Sequence, residues 1–237
     1  MKSCIGLLGF LTIAAAPNLM ALSVDLQQGP YSYGIGGEFV AAAPAGDPGL
    51  ANYLQYYSSL TQYTGNNGYY GFATFCDEYN EEFIPGNTYS VTLGPNAMYG
   101  GQPPNGNPIS KGTAYLYYLF ATGNQSFGYN WNPADRAASA GQLQNAIWWL
   151  ENEGPSGPLA YDPNNTFENL VISKFGSAAN AMADNDNLFP VEVMVLGQPG
   201  QVQDQLILTG TVPDGGTTLM LLGAAFGGIA LFKRRFS

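Results

Sequence analysis

The chain has an uncharged apolar segment near each end, and these two segments limit what the rest of it can form. The first covers residues 5–16 and follows Lys2; the second covers residues 217–232 and precedes a run of cations. Segments of this kind are typical of export signals and membrane spans rather than of core helices in a small domain. The part left to fold as a single globular domain is residues 24–211.

The N-terminal segment has the order of a secretory signal peptide. Lys2 supplies the positive start, an apolar stretch follows, and the small residues Ala21 and Ser23 suit a cleavage site. A buried N-terminal helix is the alternative, but it does not explain this order. We therefore predict a signal peptide over residues 1–23, which would remove Cys4.

The C-terminal segment is predicted to span the membrane. A basic cluster next to an apolar helix stays on the cytoplasmic side, which leaves the domain outside and agrees with the export signal. A buried core helix would not explain three adjacent cations. The predicted membrane-stop residues are Lys233, Arg234 and Arg235.

The last part of the chain, VPDGGTTLMLLGAAFGGIALFKRR, resembles a PEP-CTERM-type sorting signal in its VPDGG/VPDSG variant. Such signals combine a short motif containing proline, an apolar helix rich in glycine and a terminal basic cluster. The resemblance implies a bacterial cell-surface or extracellular-matrix protein whose processing partner is an exosortase, a transpeptidase-like membrane protease. The motif residues are Val212, Pro213, Asp214, Gly215 and Gly216.

Charge and composition exclude several functions for the domain. The sequence has 17 acidic residues and 7 basic ones, and only Lys111, Arg136 and Lys174 lie between the two ends. So negative a surface repels nucleic acid and anionic lipid. Histidine is absent, which excludes Ser-His-Asp and Cys-His catalysis and any histidine metal ligand. We expect no nucleic-acid partner, no metal and no cofactor.

The order of patterns along residues 24–211 predicts an α+β domain, in which a helical part is inserted between β-strands. A helix over residues 133–151 is the clearest element, since Asn132 can cap it and Pro133 suits its first turn. The predicted strands cover residues 32–42, 69–76, 88–93, 191–196 and 205–209. The other predicted helices cover residues 110–121 and 166–183.

Cys76 is the only cysteine left once the signal peptide is removed. A lone cysteine in an exported protein forms an intermolecular disulfide, packs as an inert buried thiol or acts as a reactive group. Asp77 and Glu78 follow it directly, and adjacent negative charge raises the pKa of a thiol.

Two segments resemble the thioester domains of bacterial surface proteins: Phe75-Cys76, and Leu143-Gln144-Asn145-Ala146-Ile147-Trp148 on the long predicted helix. The resemblance implies a thioester-domain-like fold. It also implies an internal thioester between the Cys76 sulfur and the Gln144 side-chain carbonyl, which an amine or hydroxyl of a surface partner can capture. The implied supporting residues are Phe75, Ile147 and Trp148.

Helical spacing adds to this interpretation. Gln144 and Trp148 are four residues apart and so share one helix face, where the indole could shield the bond from water. Gly141, one turn earlier, would let another segment approach the helix closely.

Other functions remain as alternatives. Glu151 and Glu153 could act as a glycosidase pair, but we expect them at a solvated helix end and predict no enzyme. Residues 184–187 could bind calcium, although a polar turn is favoured. The main alternative is a noncovalent structural or glycan-binding envelope protein without the thioester, in which exposed rings would line a groove.

Overall fold

The computed structural model describes residues 22–44, 46–47, 49–62, 70–98, 106–197 and 202–211. The predicted signal peptide up to residue 21 and the sorting signal at residues 212–237 lie outside these ranges. So does the sequence Gly-Asn-Asn-Gly at residues 65–68, which predicts a turn. Within them, no helix combines the length and apolar character required to cross a membrane.

The strands of the described residues pair with antiparallel neighbours. Seven form one sheet with the order β3-β4-β2-β1-β5-β8-β9, and β6 and β7 form a separate two-stranded ribbon. Their bounds are β1 Leu22–Tyr33, β2 Gly36–Ala42, β3 Thr61–Gln62, β4 Tyr70–Thr74, β5 Asn87–Gly94, β6 Asn96–Ala97, β7 Asn107–Pro108, β8 Val191–Leu196 and β9 Gln205–Leu208.

A tight hairpin joins β1 to β2, within the region where the sequence predicts strands. Tyr33 pairs with Gly36, which leaves Gly34 and Ile35 as the two turn residues. Gly34 has φ of 60°, a conformation that glycine adopts without strain. The pairing register shifts between Gln28 and Ser32, and irregularities of this kind bend a strand. The tip of the hairpin lies over the helical part of the domain, where Tyr33 and Gly36 approach Gly141 and Gln144.

The sheet closes on itself at the cysteine. The backbone N–H of Leu206 in β9 donates to the carbonyl of Phe75 at 3.1 Å, and the N–H of Asp77 donates to the carbonyl of Asp204 at 3.1 Å. Between these bonds, Cys76 pairs with Gln205 as an antiparallel bridge. The segment after β4 therefore covers the free edge of β9, and Cys76 lies on the seam of the closed sheet.

Four α-helices follow the first seven strands: α1 Lys111–Ala121, α2 Arg136–Leu150, α3 Thr166–Phe175 and α4 Ala178–Ala181. A 3₁₀ helix, Leu50–Tyr56, precedes β3. α1 matches its predicted range because the Ser110 hydroxyl accepts the N–H of Thr113 and caps it.

Two helix boundaries differ from the predictions. α2 begins at Arg136 instead of Pro133, because the carbonyl of Asn132 accepts the N–H groups of Asp135 and Arg136 and closes a separate turn first. The predicted third helix is two helices, since Gly176 adopts the left-handed conformation (φ 83°) and ends α3.

Side chains on the two faces of the sheet enter different cores. On β8, Val193 and Val195 pack with the helices, whereas Met194 and Leu196 pack with the residues of the opposite face. This alternation follows from the two-residue period of a strand. Cys76 belongs to the second core, and α2 contributes Trp148 to it.

One ion pair attaches the hairpin to α2. Nε and Nη2 of Arg136 donate to the two carboxylate oxygens of Glu38 at 2.7 and 2.9 Å. Glu38 is buried, and the hydroxyl of Tyr129 also donates to it. The guanidinium lies 4.5 Å from the ring centre of Tyr31 and 5.0 Å from that of Trp131.

The described residues thus form an α+β domain with a helical part inserted between strands, as predicted from the sequence. The finer prediction, that the fold is thioester-domain-like, stays a prediction.

Candidate functional site

The side chain of Gln144 is bound to both the main chain and the thiol of Cys76. Its Nε2 donates to the Cys76 carbonyl at 2.7 Å, and its Oε1 accepts the Cys76 N–H at 3.3 Å. The Cys76 thiol lies 3.2 Å from the same Oε1 and donates to it. The carbon that joins these two amide atoms therefore sits beside the sulfur, although the residues are 68 positions apart in the chain.

Two elements fix this arrangement. Cys76 is held at the sheet seam by hydrogen bonds of its neighbours to β9, so its backbone N–H and C=O are directed at the helix. Gln144 lies on the middle turn of α2, on the side that faces β1 and β2. The prediction that a cysteine segment and a helical glutamine lie together is consistent with this geometry, but the thioester bond itself stays a prediction.

The hairpin packs directly on Gln144. A Cβ added at Gly36 would lie 2.5 Å from Cγ of Gln144 and 2.7 Å from Cη2 of Trp148, so only glycine fits there. The same contact shows that Gln144 and Trp148 share one helix face, as predicted.

The predicted close approach at Gly141 is also confirmed. A Cβ at this position would lie 2.5 Å from Cδ1 of Tyr33, at the end of β1. The underside of the Tyr33 ring therefore rests on the helix, while 57% of the residue's surface is exposed.

Aromatic rings also cover the Cys76–Gln144 pair. Trp148 packs in the same core as Cys76, and Tyr79 meets the indole edge-on with ring centres 4.7 Å apart. Cys76 is 0% and Gln144 1% exposed. Water therefore does not reach the pair freely, and this protects any acyl bond formed there from hydrolysis.

Burial also keeps the thiol protonated. It raises the pKa of Cys76 well above its usual value, and the nearby Asp77 charge adds to the increase. The sequence predicts a raised pKa from the acidic neighbours, but the structure makes burial the larger cause. The neutral thiol is therefore the resting form at neutral pH.

The neighbouring acids are themselves buried. Burial raises the pKa of Asp77 well above its usual value, that of Glu78 to about 10, and that of Asp204 to about 7. Mutual repulsion of the carboxylates adds to these shifts. At neutral pH Glu78 is therefore protonated and Asp204 about half protonated, so these acids present less negative charge to the thiol than the sequence suggests.

Hydrogen bonds of these acids stabilise the seam. Oε2 of Glu78 accepts the N–H of Asp204 at 3.2 Å, and the Asp204 carboxylate accepts the N–H groups of Met98 and Leu196 at 2.7 and 3.2 Å. One oxygen of Asp77 and one of Glu78 have no hydrogen-bond partner among the described residues.

The indole N–H of Trp148 is a buried donor that has no partner of normal hydrogen-bond geometry in the part of the chain that the structure describes. It nevertheless lowers the pKa of Cys76, although burial of the thiol outweighs it. With the Cys76 N–H on Oε1, it is one of two donors near the atoms where negative charge would develop during attack of sulfur on the amide.

Two of the predicted supporting residues lie elsewhere. The Phe75 ring packs on Phe120 of α1 at 4.9 Å between centres, and Ile147 lies in the same helical core. Neither belongs to the core that holds Cys76. Any support they give is indirect, through the position of the seam and of α2.

The prediction that the C-terminal end of α2 is exposed to solvent is wrong. Glu151 and Glu153 are buried, because each carboxylate accepts a backbone N–H from another segment: Ser110 at 3.0 Å and Tyr79 at 3.5 Å, respectively. These bonds explain why a helix end rich in acids turns inward.

Residues 184–187 form the favoured polar turn. Asn185 accepts the N–H of Phe189 at 3.1 Å and donates to its carbonyl at 2.9 Å. Across the ranges that the structure covers, no three His, Cys, Asp or Glu side chains are grouped so that they could hold a metal ion.

Three parts of the site are not apparent from the sequence motifs: Tyr79, the hairpin tip and the burial of the acids. The glycines at positions 34, 36 and 37 were the available signal for the hairpin, since a glycine-rich turn can approach another element closely.

Comparison with known proteins gives one match. The family model described as the VPDSG-CTERM motif matches residues 211–236. No curated protein and no solved structure matches the chain. The match confirms the predicted sorting signal and indicates an exported, envelope-associated protein handled by an exosortase-type system. It does not cover the domain that contains Cys76 and Gln144.

Proposed function

We propose that this chain is exported and sorted to the cell surface or extracellular matrix, where its domain attaches covalently to a partner through a thioester between Cys76 and Gln144. The observation that carries the proposal is the pairing of both Gln144 amide atoms with Cys76, in a site from which water is excluded.

The bond would form by attack of the Cys76 sulfur on the side-chain carbon of Gln144. The new bond joins sulfur to that carbon, the carbon–nitrogen bond breaks, and the amide nitrogen leaves as ammonia with the thiol proton. An amine or hydroxyl then attacks the same carbon, the carbon–sulfur bond breaks, and the departing sulfur takes up the proton that the attacking group loses, which restores the thiol. Preorganised contact lowers the barrier to the first step, because the reacting groups are held together.

The test is the intact mass of the folded domain with and without methylamine. A thioester makes the protein lighter than its sequence by one ammonia, and methylamine adds to Gln144 and removes the deficit. Cys76→Ala and Gln144→Glu should both have their full sequence mass. Gln142→Ala, at an exposed position on the same helix, is the matched control and should keep the deficit. A full mass in the unmodified protein would contradict the proposal.

The second candidate is a noncovalent envelope protein, and the protonated, fully buried thiol favours it. In that case Gln144 is a structural clamp between α2 and the sheet seam. Gln144→Ala would then destabilise the domain, while the wild-type protein would show no mass deficit.

A further inference from the structure

Two clefts lie on either side of the hairpin tip, above the Cys76–Gln144 pair. Their volumes are about 360 and 350 Å³, and both are lined by Gly34, Ile35 and Tyr79. The second also runs over Trp148 and Asn145, which follows Gln144 on α2. A molecule that occupies this cleft therefore lies against the cover of the reactive pair.

The second cleft presents aromatic faces in fixed positions. The Tyr33 ring is held from below by Gly141 and is exposed above, and Tyr79 is fixed against Trp148. Rigid rings with a negative face attract the C–H bonds of a ligand and lose little entropy on binding.

Polar groups beside the rings can bind hydroxyls. Asn145 and Asp162 are exposed at the same cleft, whereas Asn165 and Glu168, which also line it, are buried and already hydrogen-bonded within the protein. Amides and carboxyls of this kind accept and donate hydrogen bonds without requiring a charged ligand.

The charge around the clefts excludes anionic ligands. Among the described residues, no Lys or Arg lines either cleft, and the first cleft includes Glu81 and Glu82. Phosphate, sulfate and uronic-acid polymers would be repelled. Two adjacent clefts with a shared wall also fit an extended chain better than a single small molecule.

We infer that the two clefts form one binding surface for an uncharged glycan chain, which docks across the hairpin tip. The role of this surface, which is to hold a partner next to the thioester, rests on the proposed function. Binding of the glycan itself requires no covalent bond.

The experiment is calorimetric titration of the Cys76→Ala domain with three neutral oligosaccharides: a cello-oligosaccharide, a laminari-oligosaccharide and an oligomer of N-acetylglucosamine. We expect at least one to bind and Tyr33→Ala to weaken it about tenfold, the upper end for loss of one ring contact. Asn145→Ala, an exposed change on α2, should also weaken binding. Tyr70→Ala, an equally exposed tyrosine on β4, should not.

Several results would overturn the inference. These are absence of binding to all three sugars or equal binding by the Tyr33→Ala variant. If Tyr33→Ala does not fold, Asn145→Ala provides the test. Because binding is measured without Cys76, its failure is separate from failure of the thioester, which the mass of the unmodified protein reports.

Discussion

Gln144 can contact Cys76 as it does only because Gly36 has no side chain. A methyl group at position 36 would overlap Cγ of Gln144 and the Trp148 ring, so one of them has to move. The contact between Gln144 and Cys76 thus depends on a third residue that belongs to the hairpin.

We expect Gly36→Ala to abolish or strongly reduce the ammonia mass deficit while Cys76 and Gln144 remain present. Overpacking of this kind costs about 1–3 kcal/mol, so the free energy of unfolding in urea should fall by a similar amount. Gly94→Ala is the matched control, since nothing lies within 4 Å of its added Cβ. A full deficit in Gly36→Ala would show that the hairpin does not position Gln144.

The Trp148 indole N–H allows a second test at this scale. Trp148→Phe keeps an aromatic ring in the core but removes the unpartnered donor near the sulfur. We expect slower formation of the thioester after refolding, followed by mass spectrometry over time, because a stabilising dipole is lost. If the rate of thioester formation is unchanged in Trp148→Phe, the only role left for Trp148 is to shield the bond from water.

At the scale of elements, the Arg136–Glu38 pair attaches the hairpin to the start of α2. Glu38 is buried, so removal of Arg136 leaves a buried carboxylate with no opposing charge and, among the described residues, only the Tyr129 hydroxyl as a hydrogen-bond donor. We expect Arg136→Met to lower the free energy of unfolding by about 3–5 kcal/mol. Chemical denaturation measures this change.

Two further variants distinguish the ion pair from simple packing. The double variant Arg136→Met with Glu38→Gln should recover much of the loss, because the buried charge is gone. Lys174→Met, at an exposed cation of α3, should change little. If Arg136→Met lowers the free energy of unfolding no more than Lys174→Met does, the Arg136–Glu38 pair does not anchor the hairpin.

The sequence predicts the elements well where the patterns are long and the caps are local. Ser110 gives the start of α1 correctly, whereas Gly176 divides a helix whose apolar pattern continues beyond it. Closure of the sheet at Cys76 could not be predicted, because its hydrogen bonds join residues far apart in the chain. For the same reason the buried Glu151 and Glu153 were expected in solvent: their backbone partners belong to other segments.

For the whole molecule, the buried acids predict lower stability at higher pH. A carboxyl whose pKa is raised by folding favours the folded state below its unfolded pKa, and this contribution is lost as the pH rises through the folded value. The folded values of about 7 for Asp204 and Glu168 and about 10 for Glu78 set the range.

We therefore expect the melting temperature to fall steadily from pH 5 to pH 9, with each group contributing up to about 1.4 kcal/mol per pH unit. Glu78→Gln should flatten the alkaline part of this curve, and Glu82→Gln, at an exposed position, should not. Scanning calorimetry across pH makes the comparison. A melting temperature that rises with pH would contradict the direction.

The sorting signal can be tested apart from the domain. In a host with an exosortase system, chains that end at residue 211 should appear in the medium without a membrane-bound precursor. The full chain should first accumulate in the membrane fraction, because residues 211–236 carry the matched motif. Fractionation over time with an antibody to the domain follows both forms, and identical distributions would show that the tail does not direct sorting.

The position of Cys76 on the seam of the sheet affects how stable the domain is before and after a reaction. The proposed thioester from Cys76 to Gln144 would close a loop of 68 residues, and a cross-link of that span would destabilise the unfolded chain by about 4 kcal/mol if it behaves as a disulfide does. Reaction with a partner, or with water, would open the loop again. The domain would then be most stable before it reacts and easier to degrade afterwards. Proteases would therefore remove first those molecules whose thioester has already reacted.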